Sequence, residues 1–250
     1  MQKKAVPHRS RGIYLLPNLF TTGAMFSGFY AVASAINGHF DTASIAIFVA
    51  MILDGLDGRV ARLTNTQSEF GVQYDSLSDM VSFGVAPGLV MYLWVLSTLG
   101  KFGLFAAFVH TAGGALRLAR FNTQVATADK RYFQGLPSPA AAAILAGFIW
   151  ICVEYHYDME PLKYLASLLT ISTGLLMVSN FRYSSFKEID LKGKVPFMVA
   201  IFVMLGIAFI MTQPQLMLFL LFLAYAISGP IITLVLRKRK RLNRNSPTDS

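Results

Sequence analysis

Charged residues are scarce in this sequence, since Asp, Glu, Lys and Arg together make up 14% of its 250 residues. A soluble domain usually carries about 25% charged residues, so this composition excludes an ordinary soluble protein. The chain is 54% hydrophobic, with a mean hydropathy of +0.52, and its apolar runs are long enough to cross a bilayer as helices. The alternation of apolar and polar residues that a membrane barrel requires is missing. The sequence therefore predicts an all-α fold, a polytopic membrane helical bundle.

Cysteine and histidine are also rare, and their positions exclude two kinds of site. Cys152 is the one cysteine, so the chain cannot form an internal disulfide. The four histidines are far apart along the chain, without the short spacing that a zinc site usually shows. They are His8, His39, His110 and His156.

Acidic residues are fewer than basic ones, 13 against 22, and the basic residues are unevenly distributed. The apolar runs favour about eight transmembrane helices within a membrane domain at 17–236. A basic amphipathic surface helix precedes them at 1–16, and a basic, disordered cytoplasmic tail follows at 237–250. With eight spans, Lys101 and Lys163 are the only basic residues on the side of the membrane opposite the termini. The positive-inside rule then places both termini and the active site on the cytoplasmic side of the inner membrane. The positive charge favours anionic lipid over nucleic acid as a partner.

The most informative stretch contains four aspartates within or beside apolar runs, where a carboxylate is expensive. Asp54 and Asp57 are three residues apart, and Asp75 and Asp79 are four apart, so each pair lies on one helix face. A turn near Gly71 would bring the two pairs together. Four close carboxylates repel each other unless cations bind among them, so the pattern predicts one or two hard divalent metals. Asp79 is the better candidate for a general base.

Two further residues of this stretch predict a phosphate site beside the metals. Gly58 follows Asp57 directly and permits close approach to the backbone. Arg62 lies one helical turn later and can present its planar guanidinium to a phosphate oxygen. Metals, an arginine and a gap lined by glycine together favour a diphosphate ligand.

The complete pattern resembles the signature of the CDP-alcohol phosphatidyltransferase family, D-x2-D-G-x2-A-R-x8-G-x3-D-x3-D. Every fixed position is matched, by Asp54, Asp57, Gly58, Ala61, Arg62, Gly71, Asp75 and Asp79. Enzymes of this family transfer a phosphatidyl or similar group from a CDP-linked donor to an alcohol and release CMP. Segments 75–87, 117–122, 133–142 and 179–187 resemble the membrane-embedded branch that uses L-serine as the acceptor, for which CDP-diacylglycerol is the donor.

The resemblance implies a role for each of the matched positions. The four aspartates would hold two divalent ions, Mg²⁺ or Mn²⁺, and Asp79 would also act as general base. Donor contacts are implied for the diphosphate at Gly58 and Arg62, and for the nucleotide at Asn18, Thr21 and Ser68. The family is often homodimeric, so a homodimer is expected as well.

The acceptor site is predicted from residues near the end of the fourth expected span. Arg117 and Arg120 are three residues apart, and an arginine suits the carboxylate of a free amino acid. They could instead only anchor the helix end. Asn122 is a further candidate for contact with serine. Three alternatives stay open: another acceptor such as inositol phosphate, glycerol 3-phosphate or choline, a divalent-cation transporter, and an inactive scaffold.

Overall fold

The computed structural model describes residues 15–124, 132–184 and 197–245, and nearly all of them are helical. A short antiparallel ribbon pairs Tyr132 with Ser184 and Gln134 with Arg182, which the prediction of an all-α fold did not include. The helices are α1 (Leu15–Ile36), α2 (Phe40–Thr64), α3 (Glu69–Asp79), α4 (Ala86–Trp94), α5 (Lys101–Gln124), α6 (Ser138–Glu154), α7 (Met159–Val178), α8 (Phe197–Thr212) and α9 (Pro214–Asn245); the strands are β1 (Tyr132–Gln134) and β2 (Arg182–Ser184).

Five helical segments of the described chain are long and apolar enough to cross a membrane, which identifies a multi-pass membrane protein. Helix α2 is long enough as well, with 25 residues, but it is less apolar because it carries the first aspartate pair and two arginines. Helices α6 and α8 are shorter, with 17 and 16 residues. The expected eight spans would therefore require α2, α6 and α8 to cross the membrane in addition to the five candidates. The five segments are Leu16–Ile36, Glu69–Trp94, Lys101–Thr123, Met159–Val178 and Pro214–Val235.

The two ends of the chain differ in how far the structure describes them. Residues 1–14, which contain most of the expected surface helix, lie outside the described residues. Helix α9 continues to Asn245, so residues 237–245 are helical where a disordered tail was predicted. Lys, Arg and Leu, which dominate this stretch, are good helix formers, and the preceding apolar helix supplies the nucleus for its extension.

The core is built from small residues that let the helices approach closely. Alanines on α1, α2, α5 and α6 are buried in one cluster with Phe83, Met91 and Trp94. Helices α5 and α7 almost touch through their backbones, because a Cβ added at Gly113 would collide with the carbonyl oxygen of Gly174. Small residues at helix interfaces are a common means of close packing in membranes. This packing places the ends of α1, α2, α3 and α5 beside each other.

Candidate active site

Helix α2 positions the first aspartate pair against α1. Asp57 is buried, and its Oδ2 accepts a hydrogen bond of 2.6 Å from the Oγ1 of Thr21. Thr21 is buried as well, and its Oγ1 lies 3.2 Å from the carbonyl oxygen of Pro17. The single hydroxyl proton favours the shorter bond to the charged carboxylate. This contact fixes the orientation of Asp57 relative to α1.

The connection after α2 reverses the chain through local hydrogen bonds. Asn65 ends α2 in the left-handed conformation, with φ of 51°, and the N–H of Thr66 donates to the carbonyl of Ala61. Ser68 is the N-cap of α3, and its Oγ accepts a hydrogen bond of 3.0 Å from the N–H of Gly71. Ser is a favoured residue at a helix N-cap. The turn therefore reverses the chain so that α3 packs beside α1 and its aspartate pair approaches that of α2.

The aspartates from the two helices form an acidic cluster. One carboxylate oxygen each from Asp54, Asp57 and Asp75 lie within 4.8 Å of one another. The carboxyl group of Asp79 lies close to that of Asp54, and the Oδ1 of Asp79 is buried without a hydrogen-bond partner. No lysine or arginine within residues 15–124, 132–184 and 197–245 forms an ion pair with these four groups. A cluster of this kind is suited to hard divalent cations.

A cavity of about 290 Å³ opens beside this cluster, at the turn between α2 and α3. Its wall joins α1, the end of α2, the connection and the first turns of α3. Asp57 and Asp75 border the cavity, so a ligand there would lie next to the acidic cluster. The lining residues are Pro17, Asn18, Thr21, Asp57, Gly58, Ala61, Arg62, Thr66, Gln67, Ser68, Gly71, Val72 and Asp75.

Arg117 of α5 lies on another side of the cluster. Its Nη1 donates a hydrogen bond of 3.0 Å to the Oγ of Ser138, whereas its Nε is buried and has no partner. Arg117 is close enough to Asp79 and Asp54 to interact with them electrostatically, and also to Tyr225 of α9. A half-buried guanidinium whose buried Nε donor is unused, near carboxylates, is suited to an additional anionic ligand.

The other two predicted acceptor residues have protein partners. The guanidinium of Arg120 donates to the carbonyl oxygens of Gln134, Met177, Val178 and Ser179. It thereby joins the end of α7 to the ribbon. Asn122 exchanges hydrogen bonds of 3.1 and 3.3 Å with Ser76, which follows Asp75 on α3. Both residues therefore stabilise the surroundings of the cluster, and direct contact with serine stays a prediction for them.

Comparisons with known proteins agree with this geometry. A family model described as CDP-alcohol phosphatidyltransferase matches residues 14–178. The chain belongs to the CDP-alcohol phosphatidyltransferase family. Membership and the acidic cluster together indicate that the protein binds divalent metal.

Curated relatives extend the similarity over most of the chain, and those described here share one name, CDP-diacylglycerol–serine O-phosphatidyltransferase. The protein from Helicobacter pylori (strain ATCC 700392 / 26695) is 40% identical over 86% of this chain and 90% of its own length. The protein from Mycobacterium leprae (strain TN) is 31% identical, covering 90% of this chain and 76% of the relative. The protein from Bacillus subtilis (strain 168) is 32% identical, covering 69% and 92%.

The family signature did not reveal several residues that surround the site. Thr66 and Gln67 lie among the variable positions of the signature yet line the cavity. Ser138, at the start of α6, accepts a hydrogen bond from Arg117. In the sequence it stands between two prolines, and nothing there indicates a functional role. Tyr225 of α9, which lies far beyond the signature along the chain, approaches Arg117. These contacts join distant parts of the chain, so spacing along the sequence could not identify them.

Proposed function

We propose that this protein transfers the phosphatidyl group from CDP-diacylglycerol to L-serine, giving phosphatidylserine and CMP. One observation carries the proposal: the cavity between α2 and α3 joins the residues expected to bind the donor with two aspartates of the acidic cluster. The names of the curated relatives support the choice of donor and acceptor.

The CDP headgroup would occupy the cavity at the turn. Asn18 and Thr21 would lie against the cytidine, Ser68 would add a polar contact, and Gly58 and Arg62 would contact the diphosphate. The space above Gly58 is open, since an added Cβ would meet no atom nearer than the Nη1 of Arg62 at 4.0 Å. The acyl chains of the donor would remain in the surrounding lipid.

The four aspartates would hold two divalent ions, Mg²⁺ or Mn²⁺. Their fit rests on the converging oxygens of Asp54, Asp57 and Asp75 and on the unpartnered Oδ1 of Asp79. Carboxylate oxygens are the preferred ligands of both ions. When bound, the ions would neutralise the acidic cluster and the charge of the donor diphosphate.

The acceptor would bind between Arg117 and Asp79. The buried Nε of Arg117 would contribute to binding the serine carboxylate and so orient the amino acid. The serine hydroxyl oxygen would attack the phosphorus that carries diacylglycerol while its proton passes to Asp79. The bond from that phosphorus to the CMP oxygen would break, and its electron pair would leave with CMP.

The membrane arrangement completes the proposal. Adding α2, α6 and α8 to the five candidate spans gives eight, with both termini and the site on the cytoplasmic side of the inner membrane. The distribution of basic residues supports this orientation. The proposed arrangement also divides the chain into three parts: a surface segment at 1–16, a membrane domain at 17–236 and a basic tail at 237–250. A homodimer, as expected from the family, is part of the same proposal.

Release of CMP by the purified protein tests this function. CDP-diacylglycerol would be supplied with serine, inositol phosphate, glycerol 3-phosphate or choline, each with and without Mg²⁺ or Mn²⁺. We expect metal-dependent release with serine alone. Asp79→Asn should abolish turnover but retain donor binding, whereas Asp41→Asn, at the exposed start of α2, should behave as wild type. Release with a different alcohol, or near-normal turnover of Asp79→Asn, would contradict the proposal.

The two arginines can be separated by the quantity that each variant changes. Arg117→Lys keeps the charge but loses the geometry of the guanidinium, so the KM for serine should rise about 10- to 100-fold. Arg120→Lys should instead lower the melting temperature, because one ammonium cannot replace the bonds to four carbonyls. Equal KM values in wild type and Arg117→Lys would show that Arg117 does not bind the acceptor.

A further inference from the structure

A π-helical turn immediately follows Asp79. It spans Met80–Val85 and joins α3 to α4 in one continuous segment. The N–H of Ala86 donates to the carbonyl of Val81, five residues earlier. Pro87 explains why an α-helix is disfavoured here: it has no N–H to donate to the carbonyl of Phe83, four residues earlier, and its ring crowds that carbonyl. Single π-turns of this kind are rare in proteins, and a large share of them lie at functional sites.

Two adjacent residues of α5 donate hydrogen bonds to the carbonyls of this turn. The Nε2 of His110 lies 3.1 Å from the oxygen of Phe83, and the Oγ1 of Thr111 donates to the oxygen of Gly84 over 3.0 Å. A carbonyl can only accept, so the Nε2 of His110 carries the proton. The Nδ1 of His110 lies 2.9 Å from the Oγ1 of Thr173 on α7. His110 is fully buried.

The turn affects how the buried residues before and after it line up around the helix axis. Five buried residues at intervals of four form a stripe along this segment, and several residues between them, including Phe83 and Met91, are buried as well. Four residues of an α-helix rotate about 40° beyond one full turn, so an unbroken α-helix would move this stripe by about 160° over four steps. The wider π-turn offsets part of that rotation, so the stripe drifts less around the helix axis than it would in an unbroken α-helix. The stripe consists of Ser78, Ser82, Ala86, Val90 and Trp94.

The upstream half of the stripe is attached to α1, which borders the cavity. Ser78 donates to the carbonyl of Thr21, and Ser82 donates to that of Ala24, both over 3.0 Å. Gly28 leaves no room for a side chain, since an added Cβ would lie 2.7 Å from the Cα of Ser82. A change in the π-turn would therefore rotate Asp79 relative to α1 and to Asp54.

We propose that His110 and Thr111 are positioning residues that hold the π-turn and thereby orient Asp79 within the acidic cluster. They act through the backbone of 83–84 and touch neither substrate nor metal. This inference rests on the proposed function only for the role of Asp79, because the geometry of the turn can be measured separately from turnover.

The test compares His110→Leu, His110→Gln, Thr111→Val and Thr170→Val. The glutamine retains an N–H donor that can reach Phe83, so it should restore what the leucine removes. Thr170→Val is the matched control, since the hydroxyl of Thr170 is buried on α7 but bonds only within its own helix, to Ala166. Each variant is measured for Mn²⁺ affinity, for amide hydrogen exchange of the peptide 79–86, for kcat and KM, and for melting temperature.

We expect His110→Leu and Thr111→Val to weaken Mn²⁺ binding about 10- to 100-fold and to lower kcat by up to about 100-fold. Exchange in 79–86 should accelerate, while the KM for CDP-diacylglycerol, measured at saturating Mn²⁺, stays near that of wild type because the cavity lies upstream of the turn. His110→Gln should recover most of each loss, and Thr170→Val should show none.

The inference would be overturned by wild-type Mn²⁺ affinity and exchange in both His110→Leu and Thr111→Val. It would equally be overturned if Thr170→Val lost affinity and kcat to the same extent at the same melting temperature, because the effect would then be general destabilisation. If the wild-type protein released no CMP, the proposed function would fail, but the exchange of 79–86 would still decide whether His110 and Thr111 hold the turn.

Discussion

Replacing Thr21 with Val should weaken metal binding without disturbing the fold. The two side chains have nearly the same shape, and the change removes the 2.6 Å hydrogen bond from the Thr21 hydroxyl to Asp57. A hydrogen bond to a charged group contributes about 1.5–3 kcal/mol. If the whole contribution serves to orient Asp57, metal affinity should fall about 10- to 150-fold. This range agrees with the usual effect of losing a partner that orients a metal ligand.

The assay is a Mn²⁺ titration of CMP release from saturating CDP-diacylglycerol and serine. The half-maximal Mn²⁺ concentration should rise by the predicted factor, and excess Mn²⁺ should restore much of the rate. Thr21→Ser keeps the hydroxyl and should stay close to wild type. Thr22→Val is the neighbouring control, because the hydroxyl of Thr22 is exposed and bonds to Asn18 and Tyr74 rather than to an aspartate. An unchanged titration for Thr21→Val would refute the reasoning.

Three further predictions use other parts of the structure. Gly58→Ala should raise the KM for CDP-diacylglycerol while improving helix stability by about 0.5–1 kcal/mol. Gly55→Ala is the control, because a Cβ added at Gly55 meets no atom within 4 Å, and it should improve stability alone. An unchanged KM for Gly58→Ala would show that the headgroup does not pass Gly58. Gly174→Ala should lower the melting temperature, because its Cβ would lie 2.6 Å from the carbonyl oxygen of Val109. The expected loss in the free energy of unfolding is about 1–3 kcal/mol. A melting temperature equal to that of Gly55→Ala would contradict this prediction. Burial raises the pKa of the Tyr183 hydroxyl to about 12, above its ordinary value of about 10, so its neutral form contributes stability below pH of about 10 that is lost as the pH rises towards 12. Melting curves across this range should show that loss in wild type and not in Tyr183→Phe.

The acidic cluster could be predicted from the sequence because its chemistry is local. Asp54 and Asp57 share one helix face, Asp75 and Asp79 share another, and a turn of short length between two helices leaves little choice but to bring the faces together. The same holds for the contacts expected at the cavity, whose residues lie between the two aspartate pairs or near the start of α1. The membrane character followed from composition, since charge is too scarce for a soluble domain.

The acceptor side was less accessible to sequence reasoning, because it depends on which partners distant helices provide. Arg117 and Arg120 look equivalent along the chain. In the structure Arg120 is engaged by four carbonyls near the end of α7, whereas Arg117 has a buried Nε without a partner. Ser138 and Tyr225, which approach Arg117, come from α6 and α9.

The sequence by itself determined the membrane class, the family and the four carboxylates, since these depend on composition and on spacing within two adjacent helices. Only the tertiary structure decided how the second aspartate pair is held. His110 appeared without a role along the chain, yet it meets the carbonyl of Phe83 across the interface between α5 and the π-turn. Pro87 marks where a backbone donor is lost, but which side chain replaces it depends on helix packing, and helix packing depends on the whole chain.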